Sequence, residues 1–214
     1  MYPLLALDVA TGSACACVIN AEGKAWTAQA SDGKQHSHTV LPLLQGVLQQ
    51  AGLTWSDLRM LVSGQGPGSF TGLRIGAATL AGINASLKLP IWGLSSLAIT
   101  AMQIQNEHPV WVLEDARANE VFVACYQAGE CLQEDSCKGW QDVALMTASQ
   151  FVAQQDPAID LASWQRLPLS IDRAHAMSLL IQARSGQINI NALTRWIQPV
   201  YLQLSQAERN LQHA

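Results

Sequence analysis

The chain has 214 residues, of which 49% are hydrophobic and 13% charged, and its formal net charge is −4. This length allows one ordinary domain or two compact lobes. The negative charge, with no cluster of Lys and Arg, argues against a protein that grips nucleic acid by itself. The low share of charged residues predicts that another chain covers part of the surface.

The first half of the chain begins with three predicted strands and continues with alternating helices and strands. Apolar runs bounded by turn residues predict strands over 4–7, 14–19, 24–30, 60–63 and 90–94. Apolar residues at helical spacing predict a helix over 39–50. A second helix is expected to end at Lys88, and Ser95 is placed to cap a third that ends near Gln105.

The second half partly repeats this order. We expect strands over 110–114, 121–127, 130–134 and 165–171, and helices over 148–154 and 174–183. In both halves the first strand runs into an acidic turn, at Asp8 and at Glu114-Asp115. The repeat predicts an α/β fold of duplicated β-β-β-α-β-α lobes, the plan of actin-like (ASKHA, ribonuclease H-like) proteins. We place an N-terminal lobe at 1–106 and a shortened C-terminal lobe at 107–214, whose last segment is expected to pack back on the first lobe.

The stretch from Gly64 to Gly76 is the most unusual part of the sequence. Its glycines flank a proline and indicate a tight turn, and Ser69 or Thr71 can cap the helix that follows. Free N–H groups at that helix start could hold an anion, although no lysine follows the last glycine as a P-loop requires. A purely structural turn is the favoured interpretation. The residues of the alternative, a weak anion or nucleotide site, are Asp8, Thr11, Gly68, Ser69, Arg74, Asp115 and Arg117.

The helix after this loop is rich in small residues. Each interior glycine costs about 1 kcal/mol relative to alanine, so close approach of another backbone must compensate. Gly72, Gly76 and Thr79 point one way at helical spacing, and Gly82 points roughly the other way with three alanines. Packing against the protein's own sheet explains one such face. Small residues on two faces favour a second contact, with a helix of a partner.

Several motifs of this chain resemble the bacterial TsaB (YeaZ) family. The run GPGSFTGLRIG at 66–76 is similar to the signature of that family, and LALDVAT at 5–11 resembles its opening strand. DARANEVF at 115–122 and PVYL at 199–202 resemble its mid-chain and C-terminal motifs. The resemblance extends over residues 4–126, is almost absent over 138–198, and returns at 199–202.

The resemblance implies a two-lobed actin-like fold and a role in making N6-threonylcarbamoyladenosine on tRNA. It implies a non-catalytic subunit that supports a TsaD-like catalytic subunit, with a TsaE-like ATPase joining them and tRNA contacted only through the complex. Homodimers through a similar surface are also implied. The docking surface is expected on the helices at about 39–51 and 72–88. Its residues are Val40, Leu44, Val47, Leu48, Thr71, Gly72, Ile75, Gly76, Thr79, Gly82 and Ile83.

Two other functions remain open at this stage. One is an actin-fold ATP-dependent phosphotransferase or acyltransferase, which would need metal-positioning carboxylates and a glycine-rich nucleotide loop that we do not find beyond Asp115. The other is a peptidase-like protein, although Ser69 and Thr71 lack a recognisable base. We therefore predict no catalytic residue, no metal site and no cofactor. An odd number of cysteines, five, and no basic N-terminal segment predict a cytoplasmic protein. The apolar stretches are too short for a membrane span to be expected.

Overall fold

A computed structural model gives the fold, and it describes residues 2–31, 36–104, 107–147, 149–189 and 193–203. In the first half the elements are β1 (Leu4–Asp8), β2 (Cys15–Ile19), β3 (Ala25–Gln29), α1 (His36–Gln50), β4 (Met60–Gly64), α2 (Phe70–Leu87), β5 (Ile91–Leu94) and α3 (Ser96–Ala101). In the second half they are β6 (Val110–Arg117), β7 (Glu120–Gln127), β8 (Glu130–Gly139), α4 (Trp140–Ala144), β9 (Gln150–Val152), β10 (Gln165–Arg166) and α5 (Arg173–Arg184).

The strands form two five-stranded sheets with the same internal order. The first sheet runs β3-β2-β1-β4-β5 and the second β8-β7-β6-β9-β10. In each sheet the first three strands are antiparallel, and the fourth and fifth lie parallel to the first. The duplicated plan predicted from the order of elements is therefore confirmed by the pairing.

Alternation along the strands divides the core into layers. Leu4 and Ala6 of β1 belong to a central cluster that also holds residues of β6, β7, α3 and α5. Leu5 and Leu7 face the other way, into a cluster beneath α1 and α2. A third cluster lies between the outer face of the second sheet and α4. The two lobes consequently share one core, with α3 and α5 packed between the sheets.

The first half follows the prediction closely, and the second half does not. The helix predicted over 148–154 is wrong, because β9 occupies its centre, and Ala148 lies outside the described residues. The strand predicted over 165–171 is limited to Gln165–Arg166, and α4 was not predicted. The proposed lobe boundary includes Gln105 and Asn106, which are also outside the described residues. Short elements carry too few residues for a hydrophobic period to show.

The described C-terminal segment, 193–203, lies along the first lobe. Thr194 pairs with Ile91 of β5 through two backbone hydrogen bonds of 2.7 and 3.1 Å. The Val200 N–H donates to the Gln65 carbonyl oxygen at 2.7 Å, in the glycine loop. Within the part of the chain that the structure describes, no helix combines the length and hydropathy needed to cross a bilayer.

Candidate functional site

The glycine loop between β4 and α2 is packed against the chain segment that follows β1. A Cβ atom on Gly68 would lie 2.4 Å from the Ala10 carbonyl oxygen, and one on Gly72 would lie 2.0 Å from the Val9 carbonyl oxygen. At Gly76 the distance to Val9 Cγ2 would be 3.1 Å. The face that carries Gly72 and Gly76, predicted to meet a partner, therefore meets the protein's own backbone.

The apolar side chains that were predicted as docking residues on α1 also face inward. Val40, Leu44, Val47 and Leu48 are at most 3% exposed and belong to the core cluster beneath α1 and α2. Their helical spacing marks the buried stripe of an amphipathic helix, which sequence alone does not distinguish from an interface stripe. A partner would have to contact the opposite face of α1.

The outward faces of α1 and α2 carry almost no charge. Among the 15 residues of α1 and the 18 of α2, Arg74 is the single Lys, Arg, Asp or Glu. On α2 a Cβ atom at Gly82 would meet nothing within 4 Å. Of the other predicted docking residues on α2, Thr71 is exposed and Ile75, Thr79 and Ile83 are partly exposed. On α1, Leu41 is 45% exposed.

A cleft of about 960 Å³ opens between the two lobes. Six of the seven residues predicted for an anion site line it, namely Thr11, Gly68, Ser69, Arg74, Asp115 and Arg117. The structure thus brings the turn after β1, the end of β6 and the glycine loop to one place. Ser69 is partly committed there, because its Oγ accepts a hydrogen bond from the Gly72 N–H at 3.2 Å and caps α2.

Asp8, the seventh predicted residue, does not line the cleft, because it is fully buried beneath it. Its Oδ2 accepts from Arg173 Nε at 2.9 Å and lies 2.8 Å from Arg173 Nη2. Its Oδ1 accepts from Ser96 Oγ at 2.6 Å. The assignment of Asp8 to a ligand site is therefore corrected: both carboxylate oxygens are already bonded within the protein.

Glu114 carries a carboxyl group of the cleft whose pKa is perturbed. Burial raises its pKa to about 7, while the nearby Arg173 charge and a hydrogen bond from Thr100 oppose that rise. Thr100 Oγ1 donates to Glu114 Oε1 at 3.0 Å. The side chain therefore keeps its proton to a higher pH than an ordinary glutamate does, and shifted pKa values of this kind cluster at functional sites.

An aromatic and cationic stack forms one wall of the cleft. The Arg74 guanidinium carbon lies 3.8 Å from the centroid of the Phe70 ring, whose centroid is 5.1 Å from that of Tyr201. Sequence reasoning did not find Tyr201 as a lining residue, although its Pro-x-Tyr-Leu motif was noted. It also did not find Glu114 or Arg173 as members of the site, and Arg173 has no motif around it.

Across the described ranges, no group of three or more His, Cys, Asp or Glu side chains is arranged to hold a metal ion. The actin-like plan implies a cation at the acidic turn after β1. The residues present do not fit one, because the Arg173 guanidinium already occupies the oxygens around Asp8.

Two lobes with one strand order and a cleft between them define an actin-like α/β protein. A family model described as TsaD, tRNA N6-adenosine threonylcarbamoyltransferase, matches residues 29–188. The chain belongs to this family and, within it, to the TsaB (YeaZ) group.

Individual relatives support the same placement. The tRNA threonylcarbamoyladenosine biosynthesis protein TsaB of Escherichia coli is 34% identical over 130 residues, which are 59% of this chain and 56% of that protein. TsaB of Haemophilus influenzae is 34% identical over 122 residues, 56% of this chain and 51% of its own length. The chain thus spans little more than half the length of these curated relatives. The solved structure of YeaZ from Pseudomonas aeruginosa aligns with a TM-score of 0.76 at 26% identity, over 94% of this chain and 100% of that one.

Proposed function

We propose that this protein is a non-catalytic subunit of the cytoplasmic machinery that makes threonylcarbamoyladenosine on tRNA. It binds a TsaD-like catalytic subunit, a TsaE-like ATPase joins the pair, and tRNA is met only through the complex. The names of the relatives from Escherichia coli and Haemophilus influenzae support the pathway. The same surface would serve self-association into a homodimer when the partner is absent.

The observation that carries this proposal is the nearly uncharged outer surface of α1 and α2. Interface cores are depleted of charged residues relative to the rest of a protein surface, and these two helices carry Arg74 alone. Exposed Gly82, with Ala78, Ala81 and Ala85 also exposed, lets the backbone of another helix approach closely. The glycine loop sets the start of α2 and contributes no chemistry of its own.

The burial of Asp8 favours a non-catalytic role for this protein over a catalytic one. A phosphotransferase of this fold would use the carboxylate after β1 to position a metal ion, and here that carboxylate is hydrogen-bonded to Arg173 and Ser96. The peptidase alternative would require Ser69 as a nucleophile, and its oxygen caps α2. We therefore rank both alternatives below the docking subunit.

The test uses the full chain and a TsaD-like protein from the same cell. Gly82→Arg and Ala78→Arg place a long charged side chain on the exposed face, so they should abolish co-purification and lower threonylcarbamoyladenosine in tRNA, measured by mass spectrometry. Glu22→Arg, at an exposed turn of the first lobe, is the control and should change neither. A complex that survives both changes on α2 would show the proposal to be wrong.

A further inference from the structure

The inner end of the cleft contains the positively charged guanidinium of Arg173. The Arg173 side chain, at the start of α5, is 1% exposed and reaches across to the first lobe. Its guanidinium is surrounded by oxygen atoms. Nε and Nη2 contact Asp8 Oδ2, Nη1 donates to Thr100 Oγ1 at 2.5 Å, and Nη2 donates to the Ser96 carbonyl oxygen at 2.8 Å.

These acceptors are a carboxylate, a backbone carbonyl and a hydroxyl, which are the oxygen types that hard divalent cations bind. A second carboxylate lies one hydrogen bond further out, because Thr100 Oγ1, which accepts from Arg173, also donates to Glu114 Oε1 at 3.0 Å. The oxygens come from β1, α3 and β6, which are elements of both lobes. A guanidinium is planar and carries a single charge, whereas a divalent cation carries two. Here the guanidinium contacts the same types of oxygen atom that such a cation would bind.

The surrounding backbone holds this oxygen set rigidly. Ser96 Oγ accepts from the Gly66 N–H at 3.1 Å and donates to Asp8 Oδ1, so the glycine loop and the Asp8 carboxylate are tied to one hydroxyl. At Gly64 a Cβ atom would lie 1.9 Å from Asp8 Oδ1, so glycine is required for the carboxylate to sit there. The oxygens therefore have fixed positions that do not depend on Arg173 alone.

We propose that Arg173 is a built-in substitute for a divalent cation, so that removing its guanidinium opens an oxygen-lined cation site between Asp8 and Glu114. Two consequences follow. The cleft of the native protein takes its ligands without a divalent metal ion, because the position nearest Asp8 is filled. The Arg173 side chain links the two lobes through Asp8. A metal ion in its place would have to bind from solution.

The experiment compares the full-length native chain with Arg173→Ala and with the double variant Asp8→Asn/Arg173→Ala. Mn²⁺ is the probe, and its binding is measured by calorimetry and by the electron paramagnetic resonance of the free ion. We expect the native chain to bind none in the cleft and Arg173→Ala to bind one equivalent. Loss of an outer-shell partner alone weakens metal sites about 10–100-fold, so losing the Asp8 charge should weaken binding at least about tenfold.

A matched control and a chemical rescue separate this proposal from simple loss of structure. Arg117→Ala removes another arginine of the same cleft, one whose side chain is 81% exposed, and should leave the protein without a Mn²⁺ site. Arg173→Lys keeps a charge in place and should also bind no Mn²⁺. If Arg173→Ala is unfolded in buffer, Mn²⁺ and millimolar guanidinium should each restore its circular dichroism and raise its unfolding midpoint.

Three results would overturn the proposal. Rescue of Arg173→Ala by guanidinium but not by Mn²⁺ would mean that the pocket selects the planar shape of the group and is not a general cation site. Equal Mn²⁺ binding by the single and double variants would remove Asp8 from the site. Failure of Arg173→Ala to bind Mn²⁺ or to recover structure with either cation would contradict the substitution outright.

Discussion

The two lobes share one strand order but carry very different helices. In the first lobe α1 has 15 residues and α2 has 18. In the second lobe α4, which occupies the place of α1, has 5 residues, and the connection 153–164 between β9 and β10 contains no helix. The two lobes thus share one strand order although the helices around the sheets differ. The long helices lie in the lobe where, together, they carry Arg74 as their single charged residue, which fits a surface used for binding.

A second difference concerns the acidic residues near the ends of β1 and β6. Asp8 is paired with Arg173 across the lobes, whereas Glu114 makes no ion pair among the described residues and accepts a hydrogen bond from Thr100. The cluster therefore contains two carboxyl groups and one guanidinium. Its charges balance only when Glu114 is protonated, which agrees with the raised pKa of that residue.

The largest effect is expected from breaking the contact that joins the lobes. Arg173→Met leaves Asp8 buried without its counter-charge, and such loss costs about 3–5 kcal/mol of folding free energy. Urea unfolding followed by circular dichroism measures the change. Arg117→Met, at an exposed position, should cost less than about 1 kcal/mol. Similar losses in the two variants would contradict the role assigned to the buried pair.

The unpaired carboxyl group predicts a pH dependence of stability. In the folded protein Glu114 keeps its proton up to a pKa of about 7, whereas the unfolded chain releases it near the ordinary value of 4.5. The stability that this proton contributes is complete below pH 4.5 and is lost as the pH rises to 7, by about 3 kcal/mol at most.

Glu114→Gln removes this titration and keeps the shape of the side chain. We expect the variant to gain stability over the native chain at pH 8 and little or none at pH 4.5, in urea unfolding at a series of pH values. Glu22→Gln, at an exposed turn, should leave the slope unchanged. A native slope that persists in Glu114→Gln would assign the dependence to other groups.

The glycines of α2 provide a matched pair that distinguishes its inward and outward faces. Gly72→Ala brings a methyl group against the Val9 carbonyl oxygen and should cost about 1–3 kcal/mol, as overpacked sites do. Gly82→Ala meets open space and should stabilise the protein by up to about 1 kcal/mol through helix propensity. Thermal unfolding of both variants checks the signs, and a destabilised Gly82→Ala would mean that this face is not free in the isolated chain.

The smallest effect is expected where the C-terminal segment meets the first lobe. Tyr201→Ala removes the ring next to Phe70 and should cost about 1 kcal/mol, since aromatic pairs contribute roughly 0.5–1.5 kcal/mol beyond the area they bury. Trp196→Ala, at a side chain 73% exposed, is the comparison and should change the midpoint of thermal unfolding less. Equal shifts would mean that Tyr201 does not fasten the segment.

Local pattern was sufficient for most of the first lobe. Its strands are buried apolar runs between turn residues, and Ser69 and Ser95 cap α2 and α3 as such residues are expected to do. The duplicated plan was also predictable, because the element order repeats. The second lobe was harder, since its fourth and fifth strands have 3 and 2 residues and too little length to show a period.

The candidate site was likewise predictable from the sequence only in part. The sequence by itself indicated acidic residues where β1 and β6 end and a glycine loop after β4, and it grouped them as one possible anion site. Only the tertiary structure decided which side of each helix faces the core, because a buried stripe and a docking stripe have the same spacing. Only the tertiary structure showed that Arg173 contacts Asp8. The two residues are 165 positions apart, and the sequence around either one does not predict the contact.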